Sequence, residues 1–326
     1  MQAVRKKGGL LTLKDLALYR PLEQKPLRGR YKDYTLYTIP PPGSGGLHII
    51  QLLKISAHWP LKQWGHNSFL YIHHLSEALR LIFADRNRYL ADPDFVSIPL
   101  KQLISDNYAK QIVSLIRPYR LLEHYPYHQF NSSQLKKEST THLCVIDREG
   151  NIVSLTQYIN HFFGSGIVPQ DTGFLLNNHM DDFSRDPDLA NAPGPGKRPL
   201  SSMGPLIMFH RQKPFLVLGS PGGTRIFSSL TQIILNIIEF GMSLDEAIEA
   251  PRFFTYSSLG KAGSLYVESR LSSSVIKALE KVGHKIIMLK AYDKYFGGAQ
   301  GIMIPPEKKI IYGGADSRRD GYGAGY

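Results

Sequence analysis

The sequence has a single cysteine among its 326 residues, Cys144, so an intrachain disulfide is excluded. Cys144 lies in the apolar run 142–146, which is typical of a thiol buried in the core. The 12 histidines include no His-Glu-x-x-His pair, and His73 and His74 are adjacent rather than one helical turn apart. Ser201-Ser202 lacks the Gly-x-Ser-x-Gly pattern of serine hydrolases. The sequence therefore predicts neither a metal site nor a serine-hydrolase elbow.

Long apolar runs are also missing. No stretch approaches 18 apolar residues, so no membrane-spanning helix is predicted. Residues 1–9 contain no apolar signal-peptide core, which leaves the compartment unknown. A signal on an upstream segment would make the protein periplasmic or secreted.

The formal charge of +12 is uneven, since residues 1–139 carry 20 basic and 10 acidic side chains. The basic residues are scattered, and the longest run, 5–7, lies at one end. Because no basic motif interleaved with aromatic residues occurs, we interpret the charge as solvated surface and expect no nucleic-acid partner.

Patterns of apolar residues and turn signals predict alternating blocks of helices and strands, and thus an α+β fold. A strand is predicted at 34–39, and a Pro/Gly-rich loop follows at 40–46. Asn67 or Ser68 is the expected cap of the longest helix. The predicted helices are 67–90, 102–116, 225–240 and 273–282. The predicted hairpins pair 142–147 with 152–158 and 206–209 with 215–218, and further strands are expected near 286 and 310.

Thr140 stands where the sequence changes from a charged, irregular segment to a β-rich one. Threonine is a weak nucleophile unless a base adjoins its hydroxyl, and the α-amine of an N-terminal threonine can serve as that base. Its pKa near 8 lies close to neutral pH. Freeing the amine requires cleavage of the bond between Ser139 and Thr140. Taken alone, however, the segment 140–142 is better explained as the start of a strand.

Two glycine- or asparagine-rich segments offer further chemistry. Gly222 and Gly223 lie between a predicted strand and helix, where backbone N–H groups can stabilise an oxyanion or simply form a tight turn. The segment 177–183 contains Asp181 and Asp182, which could hold an ammonium group or cap a polar loop. The spacing of its oxygen ligands does not fit a calcium loop.

These signals become specific through their order along the chain, which resembles that of the gamma-glutamyltranspeptidase family. The matching segments in the second half of the chain are 140–142, 151–156, Asn160, 163–166, 177–183, 195–203, 219–223, 250–253 and 316–322. Those in the first half are 8–12, 40–46, 77–78 and 83–86. The resemblance covers nearly the whole chain.

The resemblance implies an αββα sandwich of the N-terminal-nucleophile hydrolase type, made as a zymogen that cuts itself into two subunits. On this basis residues 1–139 are the C-terminal part of the large-subunit region and 140–326 the small, catalytic subunit region. Thr140 would be the nucleophile, with its own amine as the base, and Gly222 and Gly223 would line the oxyanion hole. The substrate-binding residues would be Asn160, Asp182, Ser201 and Ser202. The substrates would be glutathione-like γ-glutamyl amides with water, an amino acid or a peptide as acceptor, and no cofactor is implied.

The chain departs from the family pattern inside the pocket. Tyr158 replaces a threonine of the family, and His179 replaces a glutamate or glutamine. A histidine holds a substrate ammonium less well than a carboxylate does. The segment 184–197 is also short, which predicts an open groove rather than a lidded pocket. An acylase for another amide or a polymer is therefore the alternative enzyme.

A larger departure concerns the front of the chain. Family members carry a long stretch before the counterpart of Gly8 that supplies sheet strands and a carboxylate-binding arginine. Three explanations remain open: a separate large-subunit chain, a split or decayed gene, and a misassigned start. The sandwich is then expected to be incomplete, with poor solubility when the chain is alone. A non-catalytic remnant or subunit is the third functional alternative.

Overall fold

The computed structural model describes residues 2–125, 138–258, 260–305 and 310–325. The longer helices are α3 (Gly45–Ser56), α5 (Phe69–Tyr89), α7 (Asp106–Leu115), α8 (Ile226–Phe240) and α10 (Ser273–Val282). The shorter helices are α1 (Gln2–Arg5), α2 (Leu13–Leu18), α4 (Leu61–Trp64), α6 (Leu100–Leu103) and α9 (Leu244–Glu249).

The strands fall into one large sheet and three small ones. The strands of the large sheet are β1 (Leu27–Tyr31), β2 (Tyr34–Thr38), β5 (Leu206–His210), β6 (Lys213–Gly219), β12 (Gln300–Met303) and β13 (Tyr312–Ala315), in the order β1-β2-β5-β6-β12-β13. Its described pairings are all antiparallel. The small sheets are formed by β3 (Glu138–Ile146) with β4 (Ile152–His161), by β7 (Phe253–Phe254), β10 (Leu265–Glu268) and β11 (Ile286–Leu289), and by β8 (Ser257–Ser258) with β9 (Lys261–Ala262).

Helices cover one face of the large sheet, and the β3–β4 hairpin covers the other. A Cβ added to Gly301 of β12 would meet Leu244 of α9, whereas one added to Gly219 of β6 would meet the ring of His142 on β3. Gly301 pairs with Leu218, so these two residues face the same side of the sheet. Gly219 is the next residue after Leu218 and therefore faces the opposite side. The molecule is thus layered as helices, large sheet and second sheet.

The main hydrophobic core lies in the helical layer and under the large sheet. It joins side chains of α3, α5 and α8 to the inner face of β5 and β6, including Ile50, Phe83, Phe227 and Leu218. This packing fixes the ends of α5 and α8, which carry residues of the cleft described below.

Most of the predicted elements are present with small changes of boundary. Ser68, one of the two predicted caps, accepts a hydrogen bond from the Tyr71 N–H and starts α5. The helix predicted at 102–116 was wrong as a single element. It is split into α6 and α7 because the Ser105 side chain caps a new helix by accepting from the Tyr108 N–H at 3.0 Å. The strand expected near 310 begins only at Tyr312.

Helix α3 was not predicted from the sequence. Eleven of its twelve residues are buried, so it has no polar face and no helical alternation. Its first glycines allow close packing, since a Cβ on Gly45 would lie 2.5 Å from the carbonyl oxygens of Ser202 and Met203. This helix start therefore supports the segment that contains Ser201 and Ser202.

No helix of the described residues is long and apolar enough to cross a membrane.

Candidate active site

Thr140 lies within a continuous strand, at a break in its pairing. Ser139 pairs with Asn160, but Thr140 pairs with Tyr158, so the register shifts at the bond between Ser139 and Thr140 and one residue of β4 is left over. Asn160 takes a left-handed conformation with φ of 71°, which asparagine tolerates better than most residues. The bond predicted to be cut thus sits at a β-bulge, a feature enriched next to active sites.

His142 anchors the nucleophile strand to the large sheet. Its ring lies over Gly219 and contacts the Thr156 hydroxyl at 2.8 Å and the Cys144 thiol at 3.2 Å. Burial lowers the pKa of His142 to about 4, so the ring is neutral at pH 7. Cys144 is partly exposed rather than fully buried, and desolvation raises its pKa to about 12. Both side chains pack and position the strand, because neither is charged near neutral pH.

Gly222 and Gly223 lie between β6 and α8, and Gly223 begins the single 3-10 turn that continues into α8. Their φ angles are 138° and 56°, values that side chains with a Cβ rarely adopt. A Cβ on Gly222 would also lie 3.1 Å from the Cα of Gly297. The turn precedes a 15-residue helix, whose first N–H groups have no partner within the helix and attract negative charge.

Ser201 and Ser202 are held by the loop that precedes α3. The Ser44 N–H and hydroxyl both donate to the carbonyl oxygen of Ser201, at 2.7 and 2.8 Å, and the Ser201 N–H donates to Pro42. The Arg86 Nη2 donates to the Ser202 hydroxyl at 3.2 Å. The proline- and glycine-rich segment 40–46 thus shapes the serine pair, which explains its composition.

Asp182 lies at the end of a short 3-10 helix, His179–Asp182. Its carboxylate accepts from the Tyr158 hydroxyl at 3.3 Å and lies 3.2 Å from Nε2 of His179. The rings of Tyr158 and His179 pack edge to face. The two residues that depart from the family pattern therefore both contact the carboxylate predicted to bind substrate.

These segments meet in one small cleft. Seven of the predicted residues line it: Thr140, Tyr158, Asn160, Asp182, Ser201, Ser202 and Gly223. Gly222 adjoins this lining in the chain, and His179 contacts it through Asp182. Arg86 and Thr224 also line the cleft and were not predicted as site residues. Arg86 could have been found, because it belongs to the matched segment 83–86 and follows Phe83 by three residues on the buried face of a predicted helix.

The described residues contain no group of three or more histidine, cysteine or acidic side chains placed to hold a metal ion. The cleft lining itself supplies several hydroxyl groups, backbone groups and one charged side chain of each sign.

The family model described as Gamma-glutamyltranspeptidase matches the sequence over residues 1–326. The chain belongs to the gamma-glutamyltranspeptidase family. This confirms the resemblance inferred from the ordered motifs.

Named relatives include hydrolases and acylases. The glutathione hydrolase proenzyme of Escherichia coli strain K12 is 40% identical over 347 residues, which cover 100% of this chain and 57% of that protein. The crystal structure of a cephalosporin acylase from Bacillus halodurans is similar with a TM-score of 0.83 at 30% identity, covering 98% of this chain and 56% of the other.

A third relative matches only part of the chain. A solved chain of a mutant gamma-glutamyltranspeptidase from Helicobacter pylori is 40% identical, with a TM-score of 0.50. The match covers 55% of this chain and 100% of the other chain. Together these structures confirm the predicted fold class. The chain spans little more than half the length of the first two relatives.

Proposed function

We propose that this chain is the catalytic part of a self-cleaving amidohydrolase and acyltransferase that attacks γ-glutamyl amides through Thr140. The observation that carries the proposal is the cleft itself. It gathers Thr140, Asp182, the serine pair and Gly223 from separate segments into one small volume. Membership of the family agrees with this chemistry.

The first reaction is the cleavage that frees the nucleophile. The Thr140 hydroxyl attacks the carbonyl carbon of Ser139, the peptide C–N bond breaks, and an ester joins the two residues. Water then hydrolyses the ester, which leaves the carboxylate of Ser139 and the free α-amine of Thr140. The register shift at this bond supports the step, because the backbone there departs from regular strand pairing.

The second reaction uses the new terminus. The amine of Thr140 removes the proton of its own hydroxyl, which attacks the amide carbon of the substrate. The negative charge that develops on the carbonyl oxygen lies at the turn of Gly222 and Gly223, where backbone N–H groups stabilise it. The amine product leaves with a proton, and water or an amino acid or peptide acceptor takes the acyl group from the threonine.

Binding of a γ-glutamyl group assigns its two charged ends to opposite sides of the cleft. Asp182 and Asn160 take the α-ammonium, and Ser201 and Ser202 take the α-carboxylate. The carboxylate of Asp182 is the group suited to a cation, and hydroxyl groups donate to carboxylates.

The contacts of Tyr158 and His179 favour one alternative, an acylase for an amide without the α-ammonium. The Tyr158 hydroxyl donates to the Asp182 carboxylate at 3.3 Å, and Nε2 of His179 lies 3.2 Å from it without a hydrogen bond. A carboxylate that already accepts from a hydroxyl group attracts an ammonium less strongly. A similar structure is that of a cephalosporin acylase.

We further propose that a separate polypeptide completes the molecule, as the large-subunit region does in the family. The outer face of the β3–β4 hairpin presents four apolar side chains that are 42–49% exposed: Leu143, Val145, Val153 and Leu155. Leu143 pairs with Leu155 and Val145 with Val153, so they form one continuous patch. The described helices lie on the other side of the large sheet, whereas an αββα sandwich has a second helical layer here.

A panel of anilides tests the proposed function. γ-Glutamyl anilide and simple acyl anilides are compared with the wild-type chain and with Thr140→Ala, each alone and with the complementary polypeptide. Hydrolysis that requires Thr140 and favours the γ-glutamyl compound supports the proposal. Preference for simple acyl groups supports the acylase, and hydrolysis that survives Thr140→Ala would exclude both.

A further inference from the structure

A second depression lies beside the catalytic cleft, along part of the short segment 184–197. It is an open groove of about 570 Å³, within the range of small-molecule sites. Among the described residues that line it, the charged ones are Asp181 and Arg185, which pair with each other at 3.9 Å. The groove therefore favours an uncharged, apolar ligand. Its apolar lining residues are Met180, Phe183, Pro187, Ala192 and Pro193.

The walls of this groove are tied to the segments that form the cleft. The buried Asn191 side chain donates to the Asp182 carbonyl oxygen at 2.7 Å and accepts from the Leu200 N–H at 3.1 Å. The Ser184 N–H donates to the Asn191 carbonyl oxygen at 2.8 Å. Because these bonds fix both walls, the groove is formed before a ligand binds, which lowers the cost of binding.

Asp182 stands between the groove and the cleft. It lines the cleft together with Thr140, whereas its chain neighbours Asp181 and Phe183 line the groove. Consecutive Cα atoms are about 3.8 Å apart, so the groove begins a short distance beyond Asp182. In the proposed function the acyl carbon lies at Thr140 and the α-amine at Asp182. A substituent on that amine would therefore extend into the groove.

We propose that the groove binds an apolar substituent on the α-amine of the acyl group, so that N-acylated γ-glutamyl amides are substrates. The inference rests on the proposed function and narrows its substrate class. An acylated amine has no charge but keeps one N–H, which can donate to the Asp182 carboxylate beside the Tyr158 hydroxyl. The groove then selects the substituent by its apolar surface.

Two glutamine derivatives that differ only in this substituent test the proposal. N-acetylglutamine and N-octanoylglutamine share the γ-amide and the α-carboxylate, and only the octanoyl chain is long enough to enter the groove. Their binding is measured by calorimetry on the uncut Thr140→Ala chain, with and without the complementary polypeptide. Neither self-cleavage nor turnover interferes in this variant. We expect N-octanoylglutamine to bind roughly 10- to 50-fold more tightly, because an open groove buries part of the added methylene groups.

Ala192→Phe, made in the Thr140→Ala chain, fills the groove. It should reduce the octanoyl advantage to less than about twofold and leave the binding of N-acetylglutamine unchanged. Ala190→Phe is the matched control, because Ala190 is also half-buried in this loop but is not among the described residues that line the groove. The carbonyl oxygens of both alanines accept from Lys197 Nζ, at 2.7 and 2.8 Å, and neither substitution removes these contacts.

Met180→Ser provides a second variant if Ala192→Phe does not fold. Met180 lines the groove and is 69% exposed, so its replacement removes apolar surface without disturbing the core. The octanoyl advantage should fall severalfold in this variant, and thermal melting should show an unchanged fold.

A parent chain that binds N-octanoylglutamine no more tightly than N-acetylglutamine would overturn the inference. An octanoyl advantage that survives Ala192→Phe would overturn it too, since the chain would then bind elsewhere. An advantage that disappears when the complementary polypeptide is added would show that this polypeptide occupies the groove, with the same consequence. The proposed function is decided separately by Thr140-dependent hydrolysis of the anilides, which the binding measurement does not require.

Discussion

At the scale of single residues, ordered motifs predicted which side chains meet, but not how they are held. The sequence placed Thr140, Asp182 and Ser201–Ser202 in one site by resemblance, and the structure brings them into one cleft. It did not reveal that His142 packs on Gly219, because this contact joins residues 77 positions apart. Close contacts of this kind depend on the arrangement of both sheets, which no local pattern encodes.

Gly219→Ala tests that contact. The added Cβ would lie 2.1 Å from the His142 ring, so either the ring or strand β3 must move. We expect a loss of about 1–3 kcal/mol in the free energy of unfolding, and slower self-cleavage. Urea unfolding and the rate of cleavage measure the two effects. Gly313→Ala is the control, because its Cβ meets nothing within 4 Å, and equal losses in both variants would refute the role of the contact.

At the scale of elements, polar networks fix the helices and strands that carry the site. In one network the Arg80 Nη2 donates to Nδ1 of His284, which leaves Nε2–H of His284 to donate to Nδ1 of His73. Nε2–H of His73 then donates to the Arg117 carbonyl oxygen at 2.7 Å. This pattern requires both histidines to be neutral. Glu77 also pairs with Arg80, so the network joins α5 to the start of β11.

This network predicts a loss of stability in mild acid. Burial, with Arg80 as a second cause, lowers the pKa of His284 to about 2, and burial also lowers the pKa of His73. In the unfolded chain a histidine has a pKa of about 6.5. Below this pH the two imidazoles bind protons in the unfolded state but not in the folded state, so the free energy of unfolding falls with decreasing pH. His284→Asn should reduce the slope of the unfolding free energy against pH by about 1.4 kcal/mol per pH unit between pH 6 and 4. Urea unfolding across this range measures it, and an unchanged slope would contradict the assignment.

A second network holds the segment behind the glycine turn. Asp316 pairs with Arg252 at 2.7 Å and with Arg318 at 3.0 Å, and its carboxylate accepts from the Ala299 N–H. Arg252 donates to the Phe296 carbonyl, next to Gly297, on which Gly222 packs. The matched segments 250–253 and 316–322 thus lie together in the fold, which explains their presence in one motif set.

Asp316→Ala should leave two buried arginines without this carboxylate. We expect a loss of about 3–5 kcal/mol in unfolding free energy, the range for breaking a buried ion pair from one side. Chemical unfolding compares it with Asp320→Ala, which alters an exposed carboxylate and should change stability by less than about 0.5 kcal/mol. A similar loss in both variants would show that the buried network contributes little.

At the scale of the whole molecule, the sequence predicted the layers from its alternating blocks, but it predicted helix boundaries less well. Helix α3 was missed because it is buried on all sides, and the helix at 102–116 was merged because Ser105 was not recognised as a cap. That the sandwich is incomplete stays a prediction, and the feature that agrees with it is the apolar patch on the outer face of β3–β4.

That patch predicts self-association of the isolated chain. Burying apolar surface gains about 25 cal/mol per Å², which favours contact between exposed patches. Replacing Leu143 and Leu155 together by threonine should reduce the aggregation seen in size-exclusion chromatography. The control is Leu115→Thr, which changes an exposed leucine outside the patch and should not reduce aggregation. A wild-type chain that is a monodisperse, cooperatively melting monomer would contradict the prediction.

Intact mass spectrometry after incubation at neutral pH shows whether the fold places Thr140 to cut the bond before it. We expect pieces of 139 and 187 residues, with Thr140 as the new N-terminus, in the wild-type chain and not in Thr140→Ala. If the chain alone stays intact, the incubation is repeated with the complementary polypeptide. A wild-type chain that remains intact under both conditions would contradict the assignment of Thr140 as a self-generated nucleophile.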